Sequence, residues 1–431
     1  MATPNGRRVA IVAGCRTPFA KSGTSLKDIS AVELARLATR ELLERTEIAP
    51  TQVDEVIFGQ VVPSALAPNV AREVSLLPHL PKTVPAYSLN RACSSSAQTV
   101  AAAYDQIVLG HADVVVAGGT ESLSDVPILH TKRFAELLVE ASRAKSLRAR
   151  LATLARVRPR DLIPVAPAVA EPSTGMTMGQ SGEKMAKENH ISREAQDRFA
   201  LRSHQLAAAG TADGRLTAEI TPVFVPPSCS VVVTSDNGIR ADASLDQMAK
   251  LKPVFDRRYG TITAANSSPL TDGASAVLVM SDEAAHALGY KPLAYVRSYA
   301  VAAVDPGEQL LMGPGFAVPK ALDRAELEWK DLNLVEMHEA FAAQVLSNIQ
   351  AFESDRWAQE RLGRARRIGE VNRDTLNVMG GSIAIGHPFG ATGGRLTTTL
   401  ANEMVRRDAQ FGLVSICAQG GMGFAMVLER T

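Results

Sequence analysis

VVVAGGTES, Val114 to Ser122, is a run of β-branched residues closing on a glycine turn, and LVSICAQGGMG, Leu413 to Gly423, repeats that design near the other end of the chain. A short apolar run bounded by turn residues reads as a strand buried on both faces. Working outward, further segments pair in the same order. DEVIF, Asp54 to Phe58, corresponds to DLNLV, Asp331 to Val335, each a polar lead into an apolar strand. The helix opened by Cys93 corresponds to the one opened by Gly390 to Gly393. Parallels at matching positions mark an internal duplication. Strand signals at Val9 to Ala13, Val56 to Phe58 and Asp113 to Ala117 alternate with helical spacing at Ala31 to Arg45 and Ser94 to Leu109. The expected class is α/β, two similar halves with helices covering sheets.

A chain of 431 residues is too long for a single core. The reading divides it into a first half (1–126), an inserted loop domain (127–252), a return to the first half (253–282) through the strand Ala276 to Met280, and a second half (283–431). Within the insert, Pro159, Pro164, Pro167 and Pro172 interrupt a helical, basic region, which suggests a lid over a substrate.

Composition excludes several classes. Hydrophobic residues at 46% and charged residues at 21% are ordinary for a globular protein. Lys and Arg total 46 against 45 Asp and Glu, so no overall field recruits nucleic acid. Cys15, Cys93, Cys229 and Cys417 are widely spaced, without a C-x-x-C pair or a signal-like start, which points to free thiols and a cytoplasmic location. No apolar run approaches the roughly 18 residues that a transmembrane helix needs.

Four residues carry chemistry. Cys93 stands between Asn90-Arg91-Ala92 and Ser94-Ser95-Ser96, where a helix begins. The helix dipole and free N–H groups there are expected to lower its pKa. An inert buried thiol is the competing reading. His387 lies in GGSIAIGHPFGATGG, Gly380 to Gly394, placed like a general base; the phosphate-loop alternative fails because neither glycine fingerprint is present. Cys417 ends an apolar strand before Gln419-Gly420-Gly421, which suits an acid or base beside a developing anion, although alone it reads better as a core cysteine. His338 and Glu339 follow the Leu332 to Val335 strand and read either as site groups or as a capping pair. The zinc motif H-E-x-x-H fails, because position 342 is Ala, so no metal is expected.

Together NRACSSS, HEAF, GHPFGATG and CAQGGMG, in this order, resemble the four signature blocks of the thiolase family. The likeness extends over essentially the whole chain. It implies the duplicated five-layer αβαβα fold and an acyltransferase that cleaves 3-ketoacyl-CoA with CoA, without metal or redox cofactor. By the same resemblance Cys93 is the nucleophile, His387 takes its proton, and Cys417 exchanges protons with the departing and incoming groups. His338 and His387 form one oxyanion site, and the backbone N–H groups of Cys93 and Gln419 form a second. Gln419 departs from the family's usual glycine. Ser268 matches a serine that contacts the pantetheine arm, with Pro269 where many relatives have glycine.

His338 in place of the commoner Asn, and the insert sequence RLATLARVRPRDLIPVAPAVAE, resemble the thiolase subunit of the fatty-acid oxidation trifunctional complex. That implies β-oxidation, at least a homodimer, and a hydratase/dehydrogenase partner subunit. Residues 131–160 add a basic amphipathic stretch, with Leu137, Leu138, Leu147, Leu151 and Leu154 among many Lys and Arg. It suits a solvated face, a partner subunit, CoA phosphates or a membrane surface. The rival activities are an acetoacetyl-CoA thiolase and a condensing synthase of the same superfamily; a non-catalytic CoA-binding scaffold would not need four reactive groups.

Overall fold

The computed structural model describes residues 6–164 and 170–430. Pro167 of the insert lies outside the described residues. Among the described residues, the main sheet has ten strands, the two-residue Ala20–Lys21 and nine longer ones: β1 Val9–Arg16, β2 Glu55–Gly59, β3 Ala86–Leu89, β4 Val114–Glu121, β5 Thr271–Ser281, β6 Ala294–Ala303, β7 Leu334–Met337, β8 Phe411–Ala418 and β9 Met422–Glu429. The helices used below are α1 Ala31–Thr46, α2 Ser95–Val108, α3 Lys132–Arg143, α4 Leu147–Leu154, α5 Met178–Glu188, α6 Arg193–Ala212, α7 Gly313–Ala325, α8 Ala342–Phe352 and α9 Thr392–Arg406.

The two halves obey one pairing rule. In the first, β5 runs antiparallel to β1 and β4, and β4 is parallel to β2. In the second, β9 runs antiparallel to β6 and β8, and β8 is parallel to β7. The half-sheets meet where Ala10 and Ile11 of β1 face Tyr295 and Ala294 of β6, giving the order β7-β8-β9-β6-β1-β5-β4-β2-β3. Helices α2 and α9 lie between the halves. Val100 and Ala101 of one and Leu396 and Leu400 of the other share a core with Val115, Val277, Val414 and Phe424. The opposite faces of the half-sheets are covered by α1 on one side and by α7 and α8 on the other. This is the five-layer α/β arrangement. It explains why β4 and β5 are buried along their whole length and carry no polar alternation.

Two local details differ from the sequence reading. Gly118 and Gly119 do not turn; they are the last part of β4, which runs on to Glu121. They are glycines because a Cβ at Gly119 would lie 2.0 Å from the carbonyl oxygen of Gly390. The insert is also not one lid. Helices α3 and α4 fold back on each other, with Arg156 on Glu140 at 2.7 Å. Helix α6, by contrast, is built into the body through buried Gln196, Asp197 and Ser203.

The same close approach recurs between α2 and α9, where a Cβ at Gly393 would lie 2.3 Å from the backbone nitrogen of Ala97. Backbone atoms cannot yield as a side-chain tip can. Gly119→Ala is therefore expected to destabilise the protein by about 3 kcal/mol in denaturant unfolding and to reduce activity. An unchanged midpoint would contradict this contact.

Candidate active site

Cys93 lies just ahead of α2. Its neighbour Ala92 holds φ at 45°, a left-handed conformation that strains a residue bearing a Cβ. The kink is held by Arg91 N–H donating to Ser95 Oγ at 2.9 Å, Ser94 Oγ to Arg91 O at 2.8 Å and Ser95 Oγ to Ala92 O at 2.7 Å. Ser94 and Ser95 thus hold the kink, while Ser96 Oγ accepts from the N–H of Gly394 at 2.8 Å. The N–H groups of Cys93 and Gln419 lie close enough to the Cys93 sulfur to favour its ionised form. Gln419 can carry a side chain because the positive φ values fall on Gly420 and Gly421. Its side chain donates instead to Ala170 O at 3.1 Å.

The second half supplies two imidazoles. Their ring centroids lie 4.1 Å apart, and Cys93 Sγ and nitrogens of His338 and His387 all fall within 4.8 Å of one another. His387 Nδ1 is 2.7 Å from Thr392 Oγ1, whose own hydroxyl donates to Pro388 O at 3.0 Å. The Thr392 oxygen must therefore accept from Nδ1–H, which leaves the lone pair of His387 on Nε2. His338 follows β7 and is fully buried; its Nδ1 is 3.0 Å from Ser382 Oγ, and its Nε2 has no hydrogen-bond partner. Cys417, near the end of β8, is buried in an apolar cluster with Ala340 and Phe341, close enough to Cys93 for the two thiols to affect each other's ionisation. Cys93, His338 and His387 are, among the described residues, the one group whose ligand atoms could share a metal ion.

Glu339 does not cap the helix that follows it, α8. Its carboxylate accepts from Ser203 Oγ at 2.7 Å, Asn377 Nδ2 at 2.6 Å and the N–H of Ile383 at 3.3 Å, which ties α6 to the loop before His387. Glu121, at the end of β4, accepts from the N–H groups of Val61, Val62 and Gly390 and so clamps loops of the two halves together; burial pushes it up to about 7. Ser268 belongs to a strap laid across the site. Its N–H donates to Ala340 O at 2.9 Å, and Leu270 bridges to His387. Pro269 lines a cavity of about 320 Å³ with Lys21, His204, Arg240, Leu251 and Ile383. Asp242 lines the cavity as well, though no carboxylate forms an ion pair with Lys21 or Arg240 among the described residues. Burial and the Arg240 charge push Lys21 below its usual value, and burial with both cations pushes His204 down to about 4. None of Ser382, Thr392, Lys21 or Arg240 was singled out from sequence: the first two sit inside the GHP block, but their roles depend on which ring nitrogen they face.

The expected low pKa of Cys93 is overturned. Protein surrounds the sulfur of this partly exposed residue, and burial pushes its thiol up to about 12 against the two N–H groups that lower it. A helix N-terminus is worth at most about 2 kcal/mol, whereas burial can shift a group by roughly 3–5 pH units. Burial also takes His387 down to about 3 and raises Cys417 well above its usual value. The resting pair is thus neutral thiol and neutral imidazole. Because the folded pKa is raised, the thiolate fraction grows with pH throughout the working range. Alkylation of Cys93 by iodoacetamide without substrate should accelerate about tenfold per pH unit from 7 to 10; a plateau from pH 6 to 9 would indicate a preformed ion pair and contradict the neutral state.

The chain resembles known proteins along its whole length. The thiolase N-terminal domain family matches residues 9–283 and the thiolase C-terminal domain family residues 290–430. The chain is 49% identical to a 3-ketoacyl-CoA thiolase of Yersinia enterocolitica and 50% identical to one of Yersinia pestis, each over 100% of this chain and 98% of the relative. Among solved structures, it is similar to the Bacillus anthracis acetyl-CoA acetyltransferase (TM-score 0.84, 34% identity, 98% of both chains). It also resembles human mitochondrial 3-ketoacyl-CoA thiolase (TM-score 0.83, 32% identity, 99% of both chains). With both family domains matched in order and a cysteine and two histidines gathered at the seam between them, this chain belongs to the thiolase family.

Proposed function

We propose that this acyltransferase is a 3-ketoacyl-CoA thiolase of fatty-acid β-oxidation that works through an acyl-thioester on Cys93. The observation that carries the reading is the Cys93 thiol gathered with two imidazoles, one of which has its free lone pair on Nε2. Cys93 Sγ attacks the 3-keto carbon and its proton passes to His387 Nε2. The carbonyl electron pair becomes an oxyanion, which accepts hydrogen bonds from the N–H groups of Cys93 and Gln419. As the oxyanion collapses, the C2–C3 bond breaks, the oxygen of the acetyl-CoA enolate accepts hydrogen bonds from His338 and the protonated His387, and C2 takes the proton of Cys417. The resulting thiolate of Cys417 then deprotonates incoming CoA. The CoA sulfur attacks the thioester, whose oxygen lies at the N–H groups of Cys93 and Gln419, and Cys93 leaves with the proton held by His387. The chemistry calls for no metal or redox cofactor. A second thiol at this position favours thiolysis over a decarboxylating or condensing synthase.

The cavity beside Ser268 and Pro269, with cationic Lys21 and Arg240, suits the phosphates of CoA. A second copy of the chain would cover β3, the strand that ends the sheet, where Ala86 to Leu89 are all half-buried. The α3–α4 hairpin leaves Leu138, Leu147 and Leu151 exposed beside its basic residues, which suits a hydratase/dehydrogenase partner subunit or peripheral contact with an anionic membrane. No described helix is long and apolar enough to cross a membrane. A cytoplasmic site of action is consistent with the four free cysteines.

Cys93→Ala should abolish thiolysis of 3-ketoacyl-CoA while the protein stays folded. Cys417→Ser should leave acylation of Cys93 measurable but slow exchange of solvent deuterium into C2 of acetyl-CoA by at least about 100-fold. Wild-type cleavage by Cys93→Ala, or wild-type exchange by Cys417→Ser, would contradict the assigned roles.

A further inference from the structure

The side chain of Ser382 has two neighbours and both are fixed. Arg395, fully buried on α9, donates from Nη2 to Ser382 Oγ at 3.0 Å, and the same oxygen lies 3.0 Å from His338 Nδ1. A guanidinium can only donate, so it occupies one lone pair of the hydroxyl. The hydroxyl proton then needs an acceptor, and the sole candidate at this buried position is His338 Nδ1. The opposite assignment, Nδ1–H donating to Oγ, would leave a buried hydroxyl accepting twice and donating nowhere. Arg395 is itself anchored, with Nη1 3.4 Å from Glu336 Oε2 on β7, the strand that leads into His338.

We propose that Ser382, oriented by Arg395, is a positioning residue that locks His338 in the Nε2–H tautomer, so that the imidazole presents a hydrogen-bond donor to the reacting oxygen. This rests on the oxyanion role given to His338 above. The two imidazoles then differ by design. Thr392 makes His387 an acceptor at Nε2, while Ser382 makes His338 a donor at Nε2, although both rings use Nδ1 to meet a hydroxyl. The difference lies in where each hydroxyl sends its proton: Thr392 to the carbonyl of Pro388, Ser382 back to the ring. The buried, unpartnered Nε2 of His338 is the donor awaiting substrate oxygen.

A double-mutant cycle with His338→Asn tests this, because an amide NH₂ donates without a tautomer to set. In the otherwise native enzyme, Ser382→Ala should lower kcat about 10- to 100-fold with KM for 3-ketoacyl-CoA within threefold. In the His338→Asn background the same change should alter kcat less than threefold. Ser382→Thr, which keeps the hydroxyl, should recover most of the loss. Alkylation of Cys93 by iodoacetamide at a fixed pH should stay within threefold in Ser382→Ala, showing that the site remains assembled. Equal losses in both backgrounds, or no loss in either, would overturn the tautomer lock. If His338→Ala left kcat unchanged, the oxyanion role of His338 would fall instead, a result separable from the behaviour of Ser382.

Discussion

The architecture depends on backbone touching backbone where the halves meet. Gly119 against Gly390 and Gly393 against Ala97 leave no room for even a methyl group. The nucleophile comes from one half and both imidazoles and the second thiol come from the other, so the site exists only if the loop before α2 and the loop before α9 come within bonding range. Small residues make that approach possible, and Glu121 holds it by accepting N–H groups from both sides. Duplication supplies the symmetry that brings two helix starts together, and the differences between copies supply the chemistry.

Burial is the second consequence. Sandwiching α2 and α9 between half-sheets dries the site, and dryness outweighs the helix dipole at Cys93. The result is a site without resting charge, with a protonated thiol, two neutral imidazoles and a second protonated thiol. Charge develops only when substrate arrives, where fixed donors are worth more than in water. Two buried ion pairs brace the surrounding elements: Arg16 with Asp236 at 2.7 Å and Arg395 with Glu336 at 3.4 Å. Buried pairs of this kind give little net stability; what Arg16 and Asp236 achieve is to fasten the insert to β1, and what Arg395 and Glu336 achieve is to fix α9 against β7.

Much of this was legible in the sequence. The duplicated strands were visible as apolar runs because both faces are covered, and the reactive residues stood out because each follows a strand or opens a glycine-rich turn. Structure alone shows what the period of a strand cannot. Gly118 and Gly119 look like a turn but serve as contact surface. The protonation of Cys93 follows from how much protein surrounds the sulfur, which a helix-start rule does not count. Lys21 and Arg240 are distant in sequence and meet only through the fold. Thr392 and Ser382 sit inside recognised blocks, yet their importance depends on hydrogen-bond direction, a property of three-dimensional partners.

The central claim is that carbon–carbon cleavage proceeds through Cys93 in a site assembled from both halves. Rapid mixing of the enzyme with a 3-ketoacyl-CoA in the absence of free CoA, followed by acid quench and peptide mass spectrometry, tests it most directly. The account predicts a burst of one acetyl-CoA per chain and a matching acyl mass increment on the peptide bearing Cys93, discharged by added CoA. Acetyl-CoA release with no acyl increment, or an increment on Cys417 instead, would contradict it.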